Sequence, residues 1–179
     1  MATNKILLVI ASTGYQSIEY NVPKKLLETA GFIVETASNK LGVATASDNS
    51  TTHVDILLQH VSPEQYDAIL FIGGPESLTH LDNETSYAVI QKAAELSLIL
   101  GAICLATRIF AHADILDNKK ATGWNGDNEL GKIYQEHDIR YIPQQDIVTD
   151  GNIITASGPH VAREFGESII SMLQTKNNW

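Results

Sequence analysis

Gly101-Ala102-Ile103-Cys104-Leu105-Ala106-Thr107 decides the fold, because the pattern changes period at its fourth residue. Upstream, residues 100–104 are uniformly apolar or small, the pattern of a strand buried on both faces. Downstream, residues 105–113 carry helical spacing, which follows without a break. The spacing therefore predicts a strand passing directly into a helix, with Cys104 at the junction.

The same logic recurs outward from this stretch. Residues 5–11 (KILLVIA) form an apolar run bounded by Ser12-Thr13-Gly14. Residues 16–30 repeat apolar side chains at Ile18, Val22, Leu26, Leu27 and Ala30 before Gly31 stops the helix. Residues 32–37 predict a strand, so the first unit is β-α-β with a right-handed crossover. Residues 66–72 predict another, ending in Gly73-Gly74-Pro75. Asn83 or Thr85 opens a helix running through Ala94 to about Ser97. Shorter strands are predicted at 120–122, 139–142, 147–148 and 152–156, and Gly158-Pro159 precedes a last helix reaching about Leu173. Residues 42–53 look like an edge hairpin. The expected fold is α/β: a flavodoxin-like, doubly wound, mostly parallel sheet with helices on both faces, and one domain over 1–179.

With 179 residues, 44% of them hydrophobic, the chain can bury a substantial core. Its formal net charge of -9 and the lack of a basic stripe argue against a nucleic-acid partner. No apolar run is long enough to span a membrane. Met1 to Lys5 lead straight into the first strand without a cleavable signal pattern, so a cytoplasmic location is expected. One cysteine excludes an internal disulfide and a thiolate metal cluster, and no histidine pair has zinc spacing, so neither metal nor cofactor is expected.

Ligands of open α/β sheets bind beyond the carboxyl ends of the strands. Three such ends carry unusual residues. Cys104 on a strand-to-helix elbow would be exposed, and the helix start would favour its thiolate. The alternative is an inert buried cysteine. Gly73 and Gly74 would let the backbone approach a ligand, and the Gly74 and Leu105 N–H groups could form an oxyanion hole, or the pair is an ordinary turn. Glu19 could exchange a proton with the thiol if burial raised its pKa, or be a solvated acid at a helix start. Of six histidines, only His160, after Gly158-Pro159, stands at a promising junction; the others are expected in solvated positions. Trp124 follows a strand end and could line the pocket, cap the core or meet another subunit.

These residues and their order resemble the ThiJ/PfpI family, the DJ-one superfamily, over nearly the whole length. The likeness rests on Ile18-Glu19-Tyr20 with Pro23, on Ala30-Gly31 to Ala37-Ser38, and on Tyr66-Asp67 to Gly73-Gly74. It extends through Gly101-Ala102-Ile103-Cys104, Lys119-Lys120-Ala121-Thr122, and Asp150 to Thr155 with Gly158-Pro159. The resemblance implies a homodimer, a nucleophilic, easily oxidised Cys104, a paired glutamate at Glu19, and backbone donors at Gly74 and Leu105. From their places at strand ends, Gly73, Trp124, Pro159 and His160 are candidate pocket residues. The chain departs from the family pattern where function is decided. Leu105 replaces the histidine that follows the cysteine in the peptidase branch. Trp124 replaces the histidine of the stress-protein branch, and Leu78 and Lys25 stand where those branches carry acids. The expected function is thus a cysteine-dependent enzyme, glyoxalase/deglycase-like or amidase-like, acting on a small carbonyl or amide-like substrate. The alternative is a non-enzymatic oxidative-stress sensor or chaperone-like protein.

Overall fold

The structure, a computed structural model, describes residues 4–177. Met1 to Thr3, which entered the reading of the N-terminus, lie outside the described residues.

β1 (Lys5–Ile10) leads through a short β2 (Thr13–Tyr15) into α1 (Ser17–Thr29), and β3 (Ile33–Ser38) returns beside β1. The excursion at 42–53 is the hairpin β4 (Gly42–Ala46) and β5 (Thr51–Val54), and β2 joins it as a third strand. After β6 (Ile56–Leu57) comes β7 (Ala68–Phe71), then α2 (Ser77–Leu81) and α3 (Glu84–Glu95). Asn83 starts α3 by accepting the Thr85 and Ser86 N–H groups on its side chain. β8 (Ile99–Ile103) is followed by α4 (Ala106–His112). The remainder is β9 (Lys120–Ala121), α5 (Leu130–Glu136), β10 (Arg140–Tyr141), β11 (Ile147–Asp150), β12 (Ile153–Ala156) and α6 (Ala162–Asn177).

The main sheet has seven strands in the order β11-β12-β8-β7-β1-β3-β6. Every neighbouring pair is parallel except β11 with β12. This is the expected flavodoxin-like architecture. Both faces are covered, which is why the strands read as continuous apolar runs. Ile6, Leu8 and Ile10 join one core with Leu27, Phe165 and Ile169; Leu7 and Val9 join the other with Ile90 and Phe110.

The elements that differ from expectation are short or terminal. β2, α2, α5 and β6 depart from the sequence reading. Pro159 opens a single tight turn over Pro159–Val161, and α6 starts only at Ala162 and continues past Leu173. β8 stops at Ile103, one residue before the cysteine. Because β8, β7 and β1 are adjacent, the chain ends that follow them meet at one edge, and the next residues of each build the site.

Candidate active site

Cys104 has left the strand conformation. Its φ is 61°, a left-handed value that costs an L-residue of this kind about 1–3 kcal/mol unless its surroundings enforce it. Those surroundings are on both sides. The Cys104 N–H donates to the Ala156 carbonyl of β12 at 2.8 Å. Its carbonyl accepts the Thr107 hydroxyl at 2.9 Å, the Thr107 N–H at 3.3 Å and the Trp124 N–H at 3.5 Å. Thr107 was missed in the sequence, although a hydroxyl three residues after an elbow is suited to this bond.

The second strand end arrives from β7. A Cβ on Gly73 would lie 2.7 Å from Cys104 Cβ, 2.8 Å from Glu19 Oε2 and 2.8 Å from the Ile103 carbonyl oxygen, so only glycine leaves room for thiol and carboxyl together. Gly74 has φ of 128°, and a side chain there would strike the Gly14 carbonyl and the Gln16 nitrogen. The Gln16 N–H in turn donates to the Gly73 carbonyl at 2.9 Å, clamping the start of α1 onto this turn. The Ser77 hydroxyl closes the turn on the Gly74 carbonyl at 2.8 Å.

The third component is Glu19, delivered by the first turn of α1. It is not the solvated acid of a helix start: its relative exposure is 0%. Oε2 accepts the Gly73 N–H at 3.0 Å. Oε1 has no hydrogen-bond partner, and the Cys104 thiol stands near enough to the carboxyl to favour its charged form. Burial pushes the Glu19 carboxyl up to about 7, against the weaker opposing pull of the thiol and the Gly73 N–H.

Cys104 is 8% exposed, and its thiol is pushed well above the ordinary range, first by burial and then by the Glu19 charge. The Leu105 and Gly74 N–H groups, backbone donors near the sulfur, pull the other way. This corrects the expectation of a ready thiolate: two N–H donors do not outweigh desolvation beside a carboxylate. Cys104 and Glu19 behave as a coupled pair that gives up one proton near neutrality and holds the second. A sulfur anion is favoured only when Glu19 carries that proton and can donate it back.

The other expected residues divide. Trp124 is half-buried and packs, as Leu105 does, against the apolar cluster that contains Cys104. Pro159 is half-buried beyond the end of β12. His160 does not fold back over the thiol. Its Nε2 lies 3.2 Å from Asp146 Oδ1 and 3.5 Å from the Ser157 hydroxyl, at a surface where its side chain is 62% exposed. Three histidines expected in solvent are partly covered and paired. His112 is bound to Asp82 at 2.9 Å, His137 to Asp114 at 3.2 Å, and His80 to the Thr13 hydroxyl at 2.9 Å. Among the described residues, no group of three or more His, Cys, Asp or Glu is placed to hold a metal ion, and no helix is long and apolar enough to cross a membrane. The arrangement offers a thiol, one buried carboxyl that titrates near neutrality, and two backbone donors around the sulfur.

Comparison with known proteins agrees with this fold. The chain is 30% identical over 185 residues to an uncharacterised protein of Methanocaldococcus jannaschii, covering 99% of this chain and 86% of that one. An uncharacterised Staphylococcus aureus protein is 28% identical over 179 residues, covering 96% and 99%. Among solved structures, a ThiJ/PfpI domain protein from Brachyspira murdochii superposes with a TM-score of 0.92 at 26% identity, covering 98% of this chain and 99% of that one. Drosophila melanogaster DJ-1beta shares the fold with a TM-score of 0.86 at 22% identity, over 97% and 91% of the two chains. The model of the DJ-1/PfpI family matches residues 4–172, and the chain belongs to that family.

Proposed function

We propose that the chain is a cysteine-dependent enzyme acting on a small α-oxoaldehyde. The observation that carries the reading is the fully buried Glu19 carboxyl, raised to about 7, beside the thiol. A carboxyl near neutrality both takes and returns a proton at working pH. With methylglyoxal, the Cys104 sulfur adds to the aldehyde carbon while the thiol proton passes through Glu19 to the new alkoxide, giving a hemithioacetal. The Gly74 and Leu105 N–H groups stabilise that oxyanion. Glu19 then takes the proton from the former aldehyde carbon and delivers it to the adjacent carbonyl carbon by way of an enediol, while the hemithioacetal hydroxyl proton passes to the former ketone oxygen, leaving the thioester of lactate. Water hydrolyses it, releasing lactate and the thiol; no external oxidant or reductant is consumed.

The choice of aldehyde over amide follows from the proton count. Addition to an aldehyde expels no leaving group, so one proton carrier suffices. An amide must also protonate its amine, and no histidine acts on this sulfur alongside Glu19, Leu105 and Gly74. Gly73, Trp124 and Pro159 border the proposed pocket. A homodimer is part of the reading, and the exposed Ile18, Leu41 and Val43 offer apolar surface for it. A cytoplasmic, reducing location suits the free thiol.

The test is lactate formation from methylglyoxal by the wild type and by Cys104→Ser. We expect loss of turnover in the variant; equal rates would remove the thiol from the mechanism. The sensor alternative starts from the same sulfur, but it consumes an external peroxide, whereas the aldehyde route needs only the proton exchange between Cys104 and Glu19. Rapid gain of one or two oxygens on Cys104 under mild peroxide, by intact mass, would reverse that preference.

A further inference from the structure

Arg108 is a cation where the sequence pattern calls for a core residue. It follows the elbow by four residues, on the first turn of α4, and is only 5% exposed. Nη2 donates to Asp127 Oδ1 at 2.6 Å. The guanidinium carbon lies 5.7 Å from the centre of the Trp124 ring, and Nε has no hydrogen-bond partner.

The ion pair alone does not account for this arrangement. Asp127 is 39% exposed and could hydrate without a partner, whereas burying a guanidinium with an idle N–H is costly. A lysine would satisfy Asp127 without the idle group. What arginine adds is a flat face that stacks on an indole. The loop it grips is held at its other points as well. Asp127 Oδ1 also accepts the Glu129 N–H at 3.1 Å, Asn125 Oδ1 accepts the Leu130 N–H at 2.9 Å, and the Trp124 N–H reaches the Cys104 carbonyl. A side chain on Gly126 would collide with the Trp124 ring, so the loop turns tightly against the indole.

We propose that Arg108 is a positioning residue: pinned by Asp127 and set over the Trp124 ring, it holds the indole as a wall beside the Cys104 elbow and restricts the thiol to small electrophiles. This rests on the reading of Cys104 as a reactive thiol and adds the feature that selects its substrate by size.

The experiment compares alkylation of Cys104, the chain's single cysteine, by iodoacetamide and by the bulkier N-phenylmaleimide. Both probes react with the same thiolate, so the ratio of their rates cancels any change in thiol pKa and reads access alone. Arg108→Met and Trp124→Ala should each raise the bulky-to-small ratio by about tenfold, with Arg108→Lys and Asp127→Asn between them and the wild type. Asp127→Asn keeps the arginine in place and serves if Arg108→Met fails to fold. A ratio that rises in Trp124→Ala but stays at the wild-type value in the Arg108 and Asp127 variants overturns the positioning role. A ratio unchanged in Trp124→Ala overturns the wall itself. Methylglyoxal turnover is measured separately, so failure of the enzymatic reading leaves this result interpretable.

Discussion

The two ends of α4 hold the same kinds of group in opposite electrical states. Before its first turn, Cys104 meets the buried Glu19 carboxyl, which is raised to about 7. In its last turn, His112 Nδ1 lies 2.9 and 3.0 Å from the two oxygens of Asp82, whose Oδ1 also accepts the Tyr87 hydroxyl at 2.7 Å, and that carboxyl is lowered. Both carboxyls lose water, and desolvation is the largest influence on each. The difference is the partners. Asp82 faces an imidazole that can carry charge and a strong hydroxyl donor, whereas Glu19 has one amide N–H and a thiol that is itself an acid. The first set yields an ion pair, the second a carboxyl whose proton is held up to near neutrality. The helix thus keeps the thiol and its best-paired histidine at opposite ends, and the proposed reaction uses no imidazole base.

The sharpest way to break this contrast is to fill the space between thiol and carboxyl. In Gly73→Ala the added methyl would meet Cys104 Cβ at 2.7 Å and the Ile103 carbonyl at 2.8 Å, and the backbone oxygen cannot swing aside. A loss of about 3 kcal/mol or more is expected, with methylglyoxal turnover abolished. Denaturant unfolding and lactate assay measure both. Wild-type stability would mean that the three strand ends are less tightly joined than described.

Next in size is Glu19→Gln, which removes the titration but keeps an acceptor for the Gly73 N–H. A carboxyl raised in the fold binds its proton more tightly there than in the unfolded chain. Wild-type stability should therefore fall as pH climbs from about 4.5 to about 7 and stay lower above that. The variant should lack this fall and be more stable at pH 8 by about 2–3 kcal/mol, while turnover drops roughly 10²–10⁴-fold. A variant less stable at pH 8 would show that Glu19 is paired in the way Asp82 is.

How much of this was legible beforehand depended on how many residues carried each signal. Residues 5–11, 66–72 and 100–104 announced the central strands because both faces of each are covered. α5 buries only Leu130 and Tyr134, too few to draw a stripe, and β6 is two residues long, defined by its pairing with β3 rather than by its composition. The elbow at Cys104 was readable from the change of period. The state of its thiol was not, because desolvation is a property of everything around the sulfur. Glu19 looked like any acid at a helix start until β7 delivered Gly73 against it. Arg108 did leave a trace, a cation directly before the apolar Ile109 and Phe110.

A smaller effect belongs to the far end of α4. His112 is raised by Asp82, against the opposing influence of burial and of Arg108, with Asp114 adding to the rise; the His137 ring stands 5.5 Å away. Its contribution is complete below the ordinary histidine value of 6.5 and is lost as pH rises through the higher folded value. The share of Asp82 is present above 3.8 and is lost as pH falls through its lower folded value. His112→Ala should then cost about 1 kcal/mol at pH 5.5, solvent screening included, and less above pH 8. Cys104 alkylation should change less than about twofold, since the pair lies two turns away. Slowing comparable to Glu19→Gln would mean that the two ends communicate.

The smallest effect is expected at His160, the residue whose position in the sequence best suited a base. Its imidazole, like Asp146, is 62% exposed, and the hydrogen bonds from Ser157 and His160 lower the Asp146 carboxyl in a setting where water competes for every contact. Pairs of this kind contribute little. His160→Ala should shift stability by less than about 0.5 kcal/mol, and the pH profile of Cys104 alkylation should overlay that of the wild type. A base leaves its titration in that profile even when the rate at a single pH changes little. A limb missing in the variant would therefore place this imidazole over the sulfur during turnover and restore a histidine to the mechanism. Overlaid profiles would leave Glu19 as the group that moves the proton.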